Sequence, residues 1–415
     1  MEARGSDESL CAARDVLRSI WGYDDFRPAQ KEAVRHILSR RDGIVLMPTG
    51  GGKSITFQVP ALVMGGLTVV VSPLISLMQD QVAGLAGRGV PCFALLGRVE
   101  PGVAAHLIRR IGEVPAFLLY CAPERIGTPL LDRILSVRKP SLLVVDEAHC
   151  VSTWGHDFRP AYRRIGALRR GLDAPCVACT ATATPHVVRD IQTSLHMDRP
   201  FQLQSSFDRA NLFFGCRKVV DPFRDLTSEL AGSRGAAIVY DSSREGVEVW
   251  AEKLRRAGMT ALAYHAGMTA EERDGRQRQW MRGRVRIMVA TKAFGMGVDK
   301  PDVRLVAHVG IPDSVEDWYQ EAGRAGRDGR PARVILYDSA DARQSRKALL
   351  RGGGWQRRRR AQRRYRALVR WMERPACRRW GVLGYFGEHA AGRCEHCDVC
   401  TGSAQRPAAT STARS

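Results

Sequence analysis

The chain has 415 residues, 44% of them hydrophobic, with 64 Lys or Arg against 43 Asp or Glu, a formal net charge of +21. That hydrophobic fraction excludes a disordered chain, and the length predicts two domains of ordinary size plus an appendage. So large a cationic excess calls for a polyanionic partner, and with no basic amphipathic anchor or lipidation motif, nucleic acid is selected over a membrane.

The first ten residues are polar and acidic, unlike a secretory leader. The longest apolar stretch, Val59–Leu77, reaches membrane-spanning length, but Gly65, Gly66, Ser72 and Pro73 interrupt it. It reads as helix end, turn, buried strand and loop rather than as a bilayer span. Most of the eleven cysteines are scattered singly through apolar segments, as in a reducing compartment. A cytoplasmic, nucleoid-associated protein is expected.

A helix is predicted over Asp7–Trp21. Tyr23, Arg27 and Gln30 follow it, a set able to clasp a nucleobase: Gln30 offers a donor and an acceptor to an adenine edge, and Tyr23 or Arg27 a stacking surface. An Arg27-Pro28 surface turn is the plainer alternative. Next comes an apolar strand, Gly43–Met47, then Met47–Ser54 (MPTGGGKS), then a helix over Ile55–Met64. A glycine turn between strand and helix frees the backbone N–H groups of Thr49, Gly50, Gly51 and Gly52 to surround phosphates. Lys53 supplies a cation for the outer phosphates and Ser54 a hydroxyl for Mg²⁺. Met47 stands where the strict P-loop has Gly.

Strands and helices then alternate through Thr68–Ser72, Leu74–Leu85, Pro91–Leu96, Gly102–Ile111 and Ala116–Tyr120, predicting a parallel sheet covered on both faces. The strand Ser141–Glu147 ends in Asp146 and Glu147. At a strand's carboxyl end Asp146 can hold Mg²⁺, and Glu147 can activate the water that attacks a γ-phosphate. Cys176–Thr184 reads as a further strand, ending in small hydroxyl residues.

After Asp-Glu-Ala-His149 comes Cys150–Tyr162, which contains Trp154, His156, Phe158 and Arg159. Aromatic faces stack on bases and an arginine meets phosphate. This acidic box followed by this aromatic loop resembles the RecQ family of superfamily 2 DNA helicases. The resemblance implies that Trp154, His156, Phe158 and Arg159 sense single-stranded DNA.

Ser205–Phe214 reads as a hinge. A second alternation follows, through Ala236–Tyr240, Glu245–Gly258, Ala261–His265, Thr269–Arg282, Arg286–Thr291 and Val303–Val309, with no second phosphate loop. Gly295 and Gly297 allow close backbone approach, and Asp299 can accept from a ribose hydroxyl. Arg324 and Arg327, three apart, are expected on one helical face. The resemblance gives them finger-like roles toward the transferring phosphoryl group and places Gln320 in the same cleft. Four departures from the family stand out: Asp241 for Cys, Gly310 for a polar residue, Trp318 for Tyr, and Leu96-Gly97-Arg98 without the usual Asn-Ser.

From Arg346 the chain is strongly basic, notably Arg357–Arg360, and Tyr365, Leu368, Val369 and Met372 fall at helical spacing. Its arginines are expected to add DNA affinity through phosphate contacts. Cys377, Cys394, Cys397 and Cys400, the last three in overlapping CxxC pairs, suit a closed tetrahedral Zn²⁺ site, with His389 and His396 as substitute ligands. The family carries such a module directly after its helicase lobes.

The expected fold is α/β: two tandem RecA-like parallel-sheet lobes, residues 1–205 and 206–341, a small basic helical zinc-binding module, 342–402, and a disordered tail, 403–415. A winged helix or further helical domain does not fit after the zinc module. The resemblance implies an ATP-dependent helicase that moves 3′ to 5′ on single-stranded DNA and unwinds tailed duplexes in repair or recombination. It would use ATP, Mg²⁺ and Zn²⁺ and act as a monomer. Two alternatives stay open: a DNA-dependent ATPase that remodels or anneals with little unwinding, and a passive nucleic-acid binder with a vestigial ATP site.

Overall fold

A computed structural model describes residues 2–48, 50–152, 159–294, 300–352, 354–388 and 392–403. It divides into two compact units, Met1–Ser206 and Phe207–Ser415. Each is built on one parallel sheet.

The first unit contains β1 (Gly43–Leu46), β2 (Gly66–Val71), β3 (Cys92–Leu95), β4 (Ala116–Cys121), β5 (Pro140–Val145), β6 (Cys176–Thr180) and β7 (Phe201–Gln204), in the order β3-β4-β2-β5-β6-β1-β7. All pairs run parallel, Ile44 for instance lying between Ala178 and Gln202. Strands β1, β4 and β6 are buried along their whole length because helices cover both faces. Val45, Phe57, Val70, Tyr120, Val144 and Cys179 lie in one core. At the lower edge Asp42 ties three strands together. Its carboxylate accepts from Arg169 Nη2 at 3.1 Å on each oxygen and from the Cys176 amide at 2.7 Å, while its carbonyl accepts from the Phe201 amide. At the upper, carboxyl-terminal edge, β5, β6 and β1 are neighbours, so the segments that follow them share one rim.

The second unit contains β8 (Leu212–Lys218), β9 (Ala236–Tyr240), β10 (Ala261–Tyr264), β11 (Ile287–Ala290), β12 (Val303–His308) and β13 (Ala332–Asp338), in the order β10-β11-β9-β12-β13-β8, again all parallel. Helices Ala340–Leu349, Trp355–Glu373 and Arg378–Tyr385 follow. Among the described residues no helix is long and apolar enough to cross a membrane, and the Val59–Leu77 stretch is helix end, glycine turn and β2, as read from the sequence.

Several elements differ from expectation. The stretch read as a hinge gives its last three residues to β8, the edge strand beside β13. Strand β7 alternates buried and exposed over only four residues, too short to announce itself. Arg27-Pro28 is a helix start: Pro28 occupies the first turn of helix Pro28–Leu38, and Gln30 Oε1 accepts from the Arg27 amide at 2.9 Å. The first helix, Glu2–Val16, continues as a wider π-helical turn through Trp21.

A Cβ on Gly43 would lie 2.1 Å from the Phe201 ring, and Phe201 is buried. Gly43→Ala should therefore displace that ring and destabilise the chain by roughly 1–3 kcal/mol, measured by denaturant melts. An unchanged midpoint would show that the β1–β7 contact is slack.

Candidate nucleotide site and metal centre

The loop after β1 is shaped by its glycines. Gly50 and Gly52 have φ of 82° and 78°, a region an L side chain enters only at a cost. A Cβ on Gly52 would lie 2.3 Å from Gln30 Nε2. Gln30 is buried, and its Nε2 donates to the Gly51 and Gly52 carbonyls at 3.1 and 3.2 Å; Arg27 Nη1 donates to the Gly50 carbonyl at 3.2 Å. Helix Pro28–Leu38 thus holds the loop's carbonyls on one side. Arg27 and Gln30 are brought to the loop itself, while Tyr23 stays 55% exposed. Thr49 lies outside the described residues. Ser54 stands directly before helix Ile55–Met64.

The acidic pair lies against this loop. Lys53 Nζ is 3.5 Å from Glu147 Oε1, both side chains largely enclosed. Glu147 sits at φ 46°, a left-handed conformation unusual for glutamate, so the chain turns abruptly after Asp146. The Asp146 carboxylate is buried, accepts from the Glu147 amide at 3.0 Å, and lies 3.4 Å from Ser72 Oγ. Burial, then the Glu147 charge, pushes its carboxyl up to about 6, with Lys53 pulling the other way. His149, given no role from the sequence, and the hydroxyl residues at the end of β6 complete the cluster. His149 Nδ1 lies 3.2 Å from Glu147 Oε2 and 2.8 Å from Thr180 Oγ1, so the glutamate is linked to the end of β6. Buried Thr182 beyond it has an unpartnered Oγ1.

Of the aromatic loop, Trp154, His156 and Phe158 lie outside the described residues. Arg159 is described: its Nη1 donates to the Pro73 carbonyl at 2.7 Å and its amide to the Cys150 carbonyl. It ties the far end of the loop to the segment after β2.

In the second unit, Gly295 and Asp299 lie outside the described residues. Helix Val315–Ala322 carries Gln320. The helical face expected for Arg324 and Arg327 is not observed, because the helix ends at Ala322 and both arginines lie in the turns beyond. Gly326 at φ 55° prevents further helix. Arg209 Nη2 donates to the Ala325 and Gly326 carbonyls at 3.0 and 2.9 Å, and Asn211 Nδ2 to the Gly326 carbonyl at 2.8 Å. The segment read as a hinge therefore clamps the arginine turn. Behind the helix, His308 Nε2 meets Glu321 Oε2 at 2.9 Å. A cavity of about 60 Å³ is lined there by Lys292, Asp313, Asp317, Glu321, Arg346 and others. The departures from the family pattern pack well. Trp318 is fully buried against Phe214 and Trp371; Gly310 lies so close to Ser242 that a Cβ would be 2.6 Å from its amide; Asp241 accepts from the Ser243 amide at 2.9 Å.

The Sγ atoms of Cys377, Cys394, Cys397 and Cys400 lie within 4.8 Å of one another. Cys394–Cys400 and Cys377–Cys397 are 3.9 and 4.0 Å apart, near the roughly 3.8 Å that 2.3 Å Zn–S bonds at tetrahedral angles require. The His396 amide points at Cys394 Sγ and the Cys400 amide at Cys397 Sγ, contacts that favour thiolates. The donor set fits Zn²⁺. His396 instead packs its ring edge-on to Phe213 and is not among the grouped ligands; His389 lies outside the described residues. Asp398 joins the cluster to the sheet: it accepts from the Cys216 amide at 2.8 Å and from buried Arg378 at 3.0 Å, and Arg378 donates to the Trp371 and Met372 carbonyls. Trp371 in turn lies 4.4 Å from Trp318, and Tyr385 Oη donates to Glu316 at 2.7 Å, so the cysteine module backs the helix that precedes the arginine turn.

Two outcomes follow. Elemental analysis should find one zinc per chain. Its chelation, or Cys397→Ser, should lower the melting temperature and change the fluorescence of Trp318 and Trp371; a zinc-free, fully folded protein would contradict the assignment. Burial, opposed by Lys292, pushes Asp317 up to about 6. Because this folded-state value is raised above 3.8, the stability it contributes is present at low pH and lost as pH rises through 6. Asp317→Asn should therefore gain stability relative to the wild type between pH 4 and 7; a pH-independent difference in melts would contradict this.

Family comparisons agree with this geometry. Residues 27–191 match the DEAD/DEAH box helicase family, 221–329 the helicase conserved C-terminal domain, and 339–401 the RecQ zinc-binding family. The chain is 40% identical over 391 residues to the ATP-dependent DNA helicase RecQ of Haemophilus influenzae, covering 94% of this chain and 63% of that protein. It is 38% identical over 397 residues to the RecQ of Bacillus subtilis, covering 94% and 67%. It spans less than two thirds of the length of the Haemophilus influenzae protein. Among solved structures, S. cerevisiae Dbp5 bound to RNA and ADP BeF3 superimposes with a TM-score of 0.64 at 19% identity, over 83% of this chain and 92% of that one. Mycobacterium smegmatis Lhr bound to single-stranded DNA and AMP-PNP gives 0.60 at 22%, over 79% and 47%. These two likenesses concern the fold. With the phosphate-loop motif on one parallel-sheet unit, the arginine turn and a four-cysteine cluster on the other, and relatives at this identity, the chain belongs to the RecQ family of ATP-dependent DNA helicases.

Proposed function

We propose that the chain couples ATP hydrolysis to 3′-to-5′ movement along single-stranded DNA and to duplex unwinding, in DNA repair or recombination. The observation that carries this reading is the 3.5 Å Lys53–Glu147 pair beside the glycine loop. The cation that would bind phosphates and the carboxylate that would activate water are already in one place.

In this reading the amides of residues 49–52 and Lys53 bind the triphosphate, which draws Lys53 away from Glu147. Glu147, released from that pair and oriented by His149, accepts a proton from the attacking water. Ser54 and Asp146 would hold Mg²⁺, which would supply positive charge to offset that of the phosphates. Arg324 and Arg327 add positive charge to the transferring phosphoryl group, and Gln320 and Asp299 contact the nucleotide. Trp154, His156, Phe158 and Arg159 contact the single strand. Arg159 is bonded to the segment after β2, and Cys150 follows His149, so strand binding is felt at Glu147 through few covalent links. Removal of a general base costs roughly 10²- to 10⁴-fold in rate.

Glu147→Gln should lower kcat for DNA-stimulated ATP hydrolysis by that factor with little change in KM, and should abolish displacement of a 3′-tailed duplex. Lys53→Ala should abolish hydrolysis while keeping DNA affinity. A wild-type chain that hydrolyses ATP on DNA but displaces no strand is instead a remodelling or annealing ATPase. One whose hydrolysis ignores DNA defeats the proposal.

A further inference from the structure

The helix Trp355–Glu373 has no acidic residue before its last position, Glu373. Tyr365, Leu368, Trp371 and Met372 are its buried face. At 100° per residue, Trp355, Arg359, Arg363, Arg366 and Arg370 fall in a sector about 80° wide on the opposite side. All five are exposed, Trp355 at 68%, and the Arg359 guanidinium lies 5.4 Å from its ring centroid. Some exposed arginines elsewhere are met by carboxylates: Arg255 and Arg256 share Glu252, and Arg278 pairs with Asp274. Among the described residues no carboxylate is paired with Arg359, Arg366 or Arg370.

The stripe is therefore a row of positive charge on a rigid, convex support. From Arg359 to Arg370 it spans about 16 Å at 1.5 Å per residue. One strand of B-DNA places a phosphate about every 3.4 Å along its axis, so the row faces roughly five of them. Trp355 is the stripe's one aromatic, at its end, so there is no succession of rings of the kind that grips single strands. Nor is there an apolar face to enter a bilayer.

We infer that this face docks the phosphodiester backbone of duplex DNA, a contact distinct from the single-strand loop. It rests on the reading of the chain as a DNA-dependent enzyme. The contact would hold the duplex ahead of, or beside, the strand being tracked, and it is read by charge rather than by sequence.

The test uses the full chain without nucleotide, a blunt duplex of mixed sequence and a single strand of the same length, with binding followed by fluorescence anisotropy from low to moderate salt. R359A/R366A/R370A should flatten the duplex plot of log K against log salt by roughly 2–3 units, near 0.9 per lost phosphate contact. Single-strand affinity, DNA-free ATP hydrolysis and the melting temperature should be unchanged. The triple Lys variant keeps the point charges and should restore the slope. An unchanged duplex slope in the alanine variant overturns the inference, as does a loss confined to the single strand. A wild-type chain that binds neither DNA defeats the broader proposal along with it.

Discussion

Two carboxylates and a lysine meet on the rim of a parallel sheet, and much of the first unit serves to keep them there. Asp146 and Glu147 are adjacent in sequence, and both charges are drawn out of water. Such a pair persists only where cations and donors offset it. Lys53 supplies the cation, the Glu147 amide and Ser72 surround Asp146, and His149 and Thr180 support Glu147 from behind. The left-handed turn at Glu147 directs the two side chains differently from one strand end. In the proposed mechanism a triphosphate entering this rim would compete with Glu147 for Lys53, so that substrate binding and release of the base would be one event.

The second unit solves another problem. Its last two helices, the long basic Trp355–Glu373 and the short Arg378–Tyr385, bury only a few side chains each, too few for a core of their own. They are secured by the sulfur cluster and by the buried Arg378–Asp398 pair, whose carboxylate also takes the Cys216 amide. Truncating one member of such a pair costs about 3–5 kcal/mol. Trp371 packs at a tilt against Trp318 and Tyr385 bonds Glu316, so the module is in direct contact with the helix that leads into the Arg324–Arg327 turn.

The unusual residues illustrate how sequence and fold trade information. Trp318 fills the space between Phe214 and Trp371, and a smaller ring would leave a gap there. Gly310 is demanded by the close approach of Ser242. Neither reason is visible in the chain, because both neighbours are distant in sequence. The same holds for Gln30: its side chain could be read as facing a base, yet in the fold it holds the Gly51 and Gly52 carbonyls.

The sequence alone determined the two parallel α/β repeats, the phosphate loop, the acidic pair and the four cysteines, since each is written in local spacing: short apolar runs, a glycine cluster before a helix, CxxC pairs. Only the tertiary structure decided that Arg324 and Arg327 sit in turns clamped by Arg209 and Asn211, that His149 reaches Thr180, that Asp42 joins three strands, and that the segment read as a hinge follows β7 directly and runs into β8. Local patterns carry backbone propensity and the periodicity of burial. Contacts between residues a hundred positions apart depend on how the sheets are wound, which no short window of residues contains.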